Sequence, residues 1–327
     1  MRLIHIKQFI RQVFCKTKLG LWFIIAIGIA VAVSVGQASR ADTLRDNEIA
    51  GMERIEGIAV EVKGTGPAII FIPGLNSASA TFTETCAAFV QTHSCHLLHL
   101  PGFADLPPTQ AAQTNFLLTI RDAIHTYIET AQLEKPVLVG HSLGGVLSLT
   151  IALEYPDLAR QLVIIDALPF YPALQNPALT ANAARPQAEQ IRSYMQNLPE
   201  EEYRRNAAMR LVGMSNEPAR MPLLTEWSKT SDRITTAQAM YDMMTTDLRS
   251  ELNKIKTPTL VLGSWAAYKV QGATQDSTKA IFASQYAQLN DVKIRMSSSG
   301  FHFLTWDDPQ WVNQEITRFI TADTTPK

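Results

Sequence analysis

The sequence lacks the features that mark the common cofactor-dependent and metal-dependent classes. It has three cysteines among 327 residues. It has no cysteine–histidine cluster at metal-ligand spacing, so a zinc ribbon or a disulfide-rich scaffold is excluded. It also lacks the glycine-rich motifs that hold nucleotide phosphates or a dinucleotide, and Gly64-Thr65-Gly66 is typical of a hairpin turn. We therefore predict no cofactor and no metal.

The chain also lacks the basic excess that a nucleic-acid partner would require. Its formal net charge is −1, with 29 Lys and Arg against 30 Asp and Glu. Six of the basic residues lie in residues 1–41, which hold no acidic residue, so the rest of the chain carries 23 basic against 30 acidic residues. A mildly acidic domain has no electrostatic attraction to nucleic acid or to an anionic membrane. We expect neither as a partner, and no stable protein partner is implied.

Residues 1–41 differ from the rest of the chain in both charge and hydropathy. A basic stretch precedes an uninterrupted apolar run over residues 19–35, and two small-x-small cleavage sites, at residues 36–38 and 39–41, follow. This order is typical of a secretory signal peptide. The alternative is an uncleaved N-terminal anchor, since the run is at the lower limit for spanning a bilayer. Either interpretation predicts a periplasmic or secreted protein, free or anchored to the inner membrane.

The cysteines leave one question open. Cys15 lies within residues 1–41, whereas Cys86 and Cys95 are nine positions apart in the following domain. In an oxidising compartment the latter two could form a disulfide, and the alternative is a pair of buried free thiols.

Short apolar segments alternate with helical segments along most of the chain. This order predicts an α/β fold with a mostly parallel sheet covered by helices on both faces. We place its core in residues 42–166 and 251–327. Residues 167–250 break the alternation, because they are rich in Ala, Met, Gln and Arg and contain no strand pattern. We interpret them as a helical cap inserted after the sixth strand, the alternative being a packed surface subdomain without a role in the reaction.

The most informative motif lies at residues 140–144, which read GHSLG and fit G-x-S-x-G. An apolar strand at residues 137–139 precedes it, and apolar residues at helical spacing follow it. A strand that enters a helix through one strained turn exposes a serine hydroxyl at the end of the sheet. The motif therefore predicts Ser142 as a nucleophile, against the alternative of an ordinary glycine-rich turn.

The order of these motifs resembles the α/β-hydrolase superfamily over residues 52–322. A Pro73-Gly74 turn, a second turn at residues 101–103, the GHSLG motif, a helical insert and a late histidine follow each other as in that family. The resemblance implies a serine hydrolase acting on a small-molecule ester with an apolar part. Amide, lactone or carbon–carbon bond hydrolysis would use the same residues, and an inactive binding protein on this scaffold is a further alternative.

The same resemblance assigns the base and the acid. His302 follows the last strand and precedes the final helix, where the fold has its general base. Most of the family has an aspartate after the strand that follows the cap, but residues 262–269 contain no carboxylate. Asp166, which ends the strand after the nucleophile helix, is the position that haloalkane dehalogenase-like relatives use. We predict Asp166 as the acid, with Asp276, another carboxylate or a Ser–His dyad as alternatives.

The oxyanion that forms in acyl transfer needs two backbone donors. The resemblance assigns these to the N–H groups of Leu143, directly after Ser142, and of Leu75, in the turn that begins with Pro73-Gly74. An ordinary strand-ending turn is the alternative for Leu75. Three aromatic residues follow strand ends that face this site, and they either line an apolar substrate pocket or belong to the core: Phe103, Trp265 and Tyr268.

Overall fold

The computed structural model of the chain describes residues 52–174 and 176–322. Residues from Met52 onward form one compact unit. The predicted signal or anchor in residues 1–41 lies outside the described residues, and so do the first ten residues of the predicted core. Among the described helices, none combines the length and the apolar character needed to cross a membrane.

An eight-stranded sheet forms the centre of the described part, in the order β1-β2-β4-β3-β5-β6-β7-β8. β1 and β2 pair antiparallel, as do β2 and β4, and the other neighbours are parallel. The strands are Glu53–Ile55, Ile58–Lys63, Ala68–Ile72, Ser94–His99, Val137–His141, Gln161–Ile165, Thr259–Gly263 and Val292–Met296. The predicted mostly parallel α/β sheet is therefore confirmed.

Helices cover both faces of this sheet. The core helices α1 to α4 are Thr83–Ala87, Gln110–Thr114, Phe116–Thr130 and Leu143–Glu154. Between β6 and β7 follow α5 to α8, at Ala181–Asn197, Glu200–Arg210, Met221–Thr230 and Arg233–Thr245. The last three helices, α9 to α11, are Gln275–Gln285, Leu304–Asp307 and Pro309–Ala322. The insert is helical, as expected.

The central strands consist of continuous apolar runs because both of their faces are buried. On β3, Ile70 and Ile72 pack into the apolar layer that contains α3 and α4. Their neighbours Ile69 and Phe71 point to the other layer, which contains α1 and α11. This alternation of side chains fixes the register of the sheet, and it aligns the carboxyl ends of β5, β6 and β7 along one edge.

Two details differ from the sequence prediction. The loose alternation of residues 55–62 predicts a single strand, but this segment belongs to a hairpin of β1 and β2, joined by Glu56 and Gly57, which both have a positive φ. The sequence also predicts a helix over residues 78–91, where the structure has a 3-10 turn at Ser79–Phe82 followed by the short α1. Periodicity alone could not separate these short elements.

The last helix of the insert, α8, is bonded to the core at both of its ends. The Asp232 N–H donates to the Gly102 carbonyl at 2.7 Å. Towards the other end, Asp242 accepts the N–H groups of Phe116 and Leu117 at 2.7 and 3.1 Å, and it thereby caps α3. α8 is thus fixed to the same edge of the sheet that carries the candidate site.

Candidate active site

Ser142 occupies a sharp turn between β5 and α4. Its backbone has φ 54° and ψ −118°, a conformation that L-residues rarely adopt and that stores strain. The Ser142 N–H donates to the Ile165 carbonyl at the end of β6, at 2.8 Å. This bond fixes the turn to the neighbouring strand, so the side chain is held at the carboxyl edge of the sheet.

The glycines on either side make this turn possible. A Cβ on Gly140 would lie 2.1 Å from the Gly144 carbonyl oxygen, and one on Gly144 would lie 2.0 Å from the Ile72 carbonyl oxygen. Both contacts are with backbone atoms that cannot move aside. The G-x-S-x-G pattern is therefore a steric requirement of this turn.

His302 and Asp166 are brought together over the end of the sheet. His302 Nδ1 lies 2.7 Å from Asp166 Oδ2, and the two side chains are 26% and 12% exposed. Because a carboxylate only accepts, Nδ1 carries the proton, and the lone pair is on Nε2, the nitrogen that a general base uses. Asp166 itself has a positive φ of 47°, which turns its side chain out of β6 towards the site.

Ser264, which follows β7, completes the environment of this carboxylate. Its backbone N–H donates to Asp166 Oδ1 at 2.7 Å, and its hydroxyl donates to Oδ2 at 2.9 Å. The segment that has no carboxylate of its own thus supplies two donors to the carboxylate of the neighbouring strand. Asp276, the alternative acid, is exposed in the first turn of α9.

His141 links the nucleophile turn to the His302 loop. Its Nε2–H donates to the His302 carbonyl at 3.0 Å, and the two rings are 4.6 Å apart. Burial lowers the pKa of His141 to about 3, so the ring is neutral at ordinary pH. Its Nδ1 is buried without a hydrogen-bond partner among the described residues. Ser142 and His302 make no direct hydrogen bond in this part of the chain, and such bonds often tighten only around a substrate.

The predicted oxyanion turn packs directly against Ser142. A Cβ on Gly74 would lie 3.1 Å from both His141 Nδ1 and Ser142 Cβ, which is closer than ordinary van der Waals contact, so glycine suits this approach. The turn closes through a bond from the Ser77 N–H to the Gly74 carbonyl at 3.2 Å, with Asn76 at φ 56°. On the other side of the site, Leu143 is the first residue of α4, and its N–H has no carbonyl to bind within the helix.

The three aromatic residues predicted near the pocket take different positions. Phe103 is fully buried and stacks on Phe116 at 4.9 Å, which is the position of a core aromatic. The Trp265 Nε1–H donates to the Ser297 carbonyl at 3.0 Å. Tyr268 is 51% exposed. Desolvation and then the charge of the Asp166 carboxylate raise the pKa of its hydroxyl.

Asp307, which sequence reasoning missed, fastens the His302 loop to the insert. Its Oδ2 accepts the Phe301 N–H at 2.8 Å, and its Oδ1 accepts the Ser215 hydroxyl at 2.5 Å and the Asn216 N–H at 3.2 Å. Burial raises the pKa of Asp307. No local signal identifies this role, because the partners in the insert lie about 90 positions away in sequence.

No group of three His, Cys, Asp or Glu side chains in the described part is arranged to hold a metal ion. Cys86 and Cys95 are both buried and free, and the Cys95 thiol lies 3.5 Å from the Cys86 carbonyl oxygen.

The chain belongs to the alpha/beta hydrolase family, whose model matches residues 69–315. A 2-(acetamidomethylene)succinate hydrolase of Mesorhizobium japonicum is 34% identical over 149 residues, which are 44% of this chain and 51% of that protein. An sn-1-specific diacylglycerol lipase of Mus musculus is 25% identical over 264 residues, or 78% of this chain and 81% of the lipase. The chain thus spans about half the length of the first curated relative that it matches, and less of the next two.

Solved structures support the same fold. The enol-lactonase from Burkholderia xenovorans superposes with a TM-score of 0.66 over 83% of this chain and 99% of its own, at 13% identity. An esterase from Exiguobacterium antarcticum superposes with a TM-score of 0.65 over 81% of this chain and 95% of its own, at 14% identity. At this level of identity the likeness shows the fold alone.

Proposed function

We propose that this chain is a serine hydrolase that cleaves a carboxylic ester with an apolar part through an acyl-enzyme on Ser142. The observation that carries the proposal is the 2.7 Å bond from His302 to Asp166. It fixes the imidazole tautomer that can accept a proton from a serine, at the end of the sheet where the strained turn presents Ser142. Without an oriented base, a serine hydroxyl is a poor nucleophile at neutral pH.

The proposed reaction follows from these positions. The Ser142 hydroxyl attacks the ester carbonyl while His302 Nε2 takes its proton, and Asp166 stabilises the resulting imidazolium. The N–H groups of Leu75 and Leu143 bind the oxyanion of the tetrahedral intermediate. His302 returns the proton to the leaving alcohol. A water molecule, activated by the same imidazole, then hydrolyses the acyl-enzyme and frees Ser142.

The choice of an ester is the finer part of the proposal. The relatives are named for hydrolysis of an acetamidomethylene succinate and of a diacylglycerol, and the structural neighbours include an enol-lactonase and an esterase. Amide, lactone and carbon–carbon bond hydrolysis remain alternatives, because each passes through an oxyanion that the same two donors would bind. The apolar part is proposed from the resemblance to esterases, and a buried apolar cluster that includes Phe303, Trp306 and Trp227 packs beside His302.

A fluorophosphonate probe and a set of p-nitrophenyl esters of graded chain length test this proposal together. We expect the full chain to be labelled at Ser142 and to hydrolyse the esters with a chain-length preference. Ser142→Ala should abolish both while the melting temperature stays unchanged. An unlabelled wild-type chain would instead favour a binding protein on this scaffold. Turnover by Ser142→Ala within tenfold of the wild type would exclude the nucleophile assignment.

A periplasmic or secreted location, free or anchored, is a separate proposal that is based on the composition of residues 1–41. N-terminal sequencing of the protein exported by a Gram-negative host tests it, with a start after Ala38 or Ala41 as the result that supports cleavage.

A further inference from the structure

We infer that Thr236, on helix α8 of the insert, is a positioning residue for the oxyanion turn. The inference is based on the proposed function, because it concerns the direction of the Leu75 N–H. It assigns to the insert a part in the reaction itself.

The first step is the contact between the insert and the turn. Thr236 Oγ1 lies 2.7 Å from Asn76 Oδ1. Asn76 follows Leu75 directly, and its left-handed backbone is the third position of the four-residue turn that Gly74 begins. The orientation of the Leu75 N–H depends on the dihedral angles of this turn. A side chain that holds Asn76 in place therefore also holds the proposed oxyanion donor.

The second step is the rigidity of the helix that carries Thr236. Thr236 is 1% exposed. It lies one turn after Asp232, which is bonded to Gly102, and before Asp242, which caps α3. Because α8 is fixed to the core on both sides of Thr236, the hydroxyl is a fixed point and not a mobile surface group.

The third step is the count of hydrogens at this contact. Thr236 Oγ1 also lies 2.8 Å from the Asp232 carbonyl oxygen, and one hydroxyl hydrogen cannot serve two acceptors fully. The Asn76 and Asp232 neighbours are both satisfied when the Asn76 amide presents its N–H to Thr236 Oγ1 and Thr236 donates to Asp232, and the Tyr203 hydroxyl also interacts with the Thr236 side chain. The oxygen and nitrogen of an amide are assigned from such networks. In either orientation the hydroxyl is required, so serine can replace threonine here and valine cannot.

The experiment compares Thr236→Val with two matched variants. Thr236→Ser keeps the hydroxyl. Thr245→Val removes a hydroxyl from the same helix whose one hydrogen bond among the described residues goes to the Tyr241 carbonyl of that helix, at 2.9 Å. We expect Thr236→Val to lower kcat for a p-nitrophenyl ester about tenfold with KM within about twofold, because the lost interaction acts on the transition state. Thr236→Ser should recover most of this loss, and Thr245→Val should keep the wild-type kcat.

Three results would overturn the inference. The first is a Thr236→Val variant with wild-type kcat. The second is a change in KM alone, and the third is a Thr236→Ser variant as impaired as Thr236→Val, which would indicate packing. Should Thr236→Val fail to fold, Asn76→Gly approaches the same contact from the turn and keeps its backbone conformation. It should show the same loss of kcat, and wild-type kcat in this variant would also refute the inference. Fluorophosphonate labelling of the wild type separates the two proposals, because its absence contradicts the proposed function and not this contact.

Discussion

Asp166→Asn is the substitution whose outcome the structure constrains most closely, because the neighbouring Ser264 N–H decides how the new amide must sit. In the native site Asp166 Oδ1 accepts this N–H at 2.7 Å, and Oδ2 faces the imidazole of His302 at 2.7 Å. An asparagine can put its oxygen at only one of these positions. If its NH₂ group faced the Ser264 N–H, two donors would oppose each other in a buried place, at a cost of about 1–3 kcal/mol.

The asparagine should therefore direct its NH₂ group at His302. That group donates to Nδ1, which moves the ring proton to Nε2, where it faces Ser142 and removes the base. The wrong tautomer accounts for about 1–3 kcal/mol, and loss of the charge-assisted bond to the imidazolium adds about 1.5–3 kcal/mol. Together they predict a loss of about 10²–10⁴-fold in kcat/KM, since each 1.36 kcal/mol is a factor of ten.

Steady-state kinetics with a p-nitrophenyl ester measures the loss, and ¹⁵N NMR of labelled histidine reports the tautomer directly, with His302→Ala assigning the resonance. Ser264→Ala keeps the backbone N–H and should lose less than about tenfold. Asp276→Asn, at an exposed position, should be near neutral. The reasoning is refuted if Asp166→Asn keeps kcat/KM within tenfold, or if its His302 ring still carries the proton on Nδ1.

Two further predictions concern buried groups outside the site. Burial lowers the pKa of His99 from 6.5 to about 4, so the folded chain excludes a proton that the unfolded chain binds, and stability falls as the pH drops below 6.5. When the pH falls from 7 to 4.5, the unfolding free energy of His99→Gln should consequently decrease by about 2 kcal/mol less than that of the wild type, as measured by urea titration. Equal decreases in the two proteins would contradict the burial argument. In a Cys15→Ser chain kept reduced, Ellman's reagent should react with neither Cys86 nor Cys95 when the chain is folded, and with both when it is unfolded. Reaction of the folded chain would show that the thiols are accessible.

The parts of the fold that could be predicted from the sequence are those with a strong local signal. The sequence predicts strands over residues 68–72 and 292–296, and β3 and β8 have these bounds. β3 is a fully buried apolar run, whereas β8, at the edge of the sheet, alternates apolar and charged residues. The hairpin of β1 and β2 was missed because a two-residue turn at Glu56-Gly57 interrupts what reads as one alternating segment. The sequence predicts that the insert is helical, but not where each helix begins and ends, since the composition varies little along the segment.

The candidate site likewise has a part that could be predicted from the sequence and a part that could not. Ser142 and His302 follow from motifs and chain order. The contacts of Ser264, Asp307 and Thr236 depend on segments that meet only in the folded chain, across separations of 98, 92 and 160 positions respectively. A periodic pattern or a short motif carries no information about such pairs. These contacts could therefore not be predicted because their partners lie far apart in the sequence.

The position of Asp166 shows that the candidate site is defined by which strands are neighbours at the edge of the sheet, and not by the order of residues along the chain. Asp166 and Ser264 end the neighbouring parallel strands β6 and β7, and the Asp166 N–H donates to the Leu262 carbonyl at 2.7 Å. The Ser264 N–H in turn donates to Asp166 Oδ1. These two hydrogen bonds thus join the ends of β6 and β7 next to His302. The carboxylate at the end of β6 meets the imidazole, and the residue after β7 supplies the two donors that fix the plane of that carboxylate. The segment after β7 has no carboxylate, and its Ser264 instead supplies the two hydrogen-bond donors that hold Asp166.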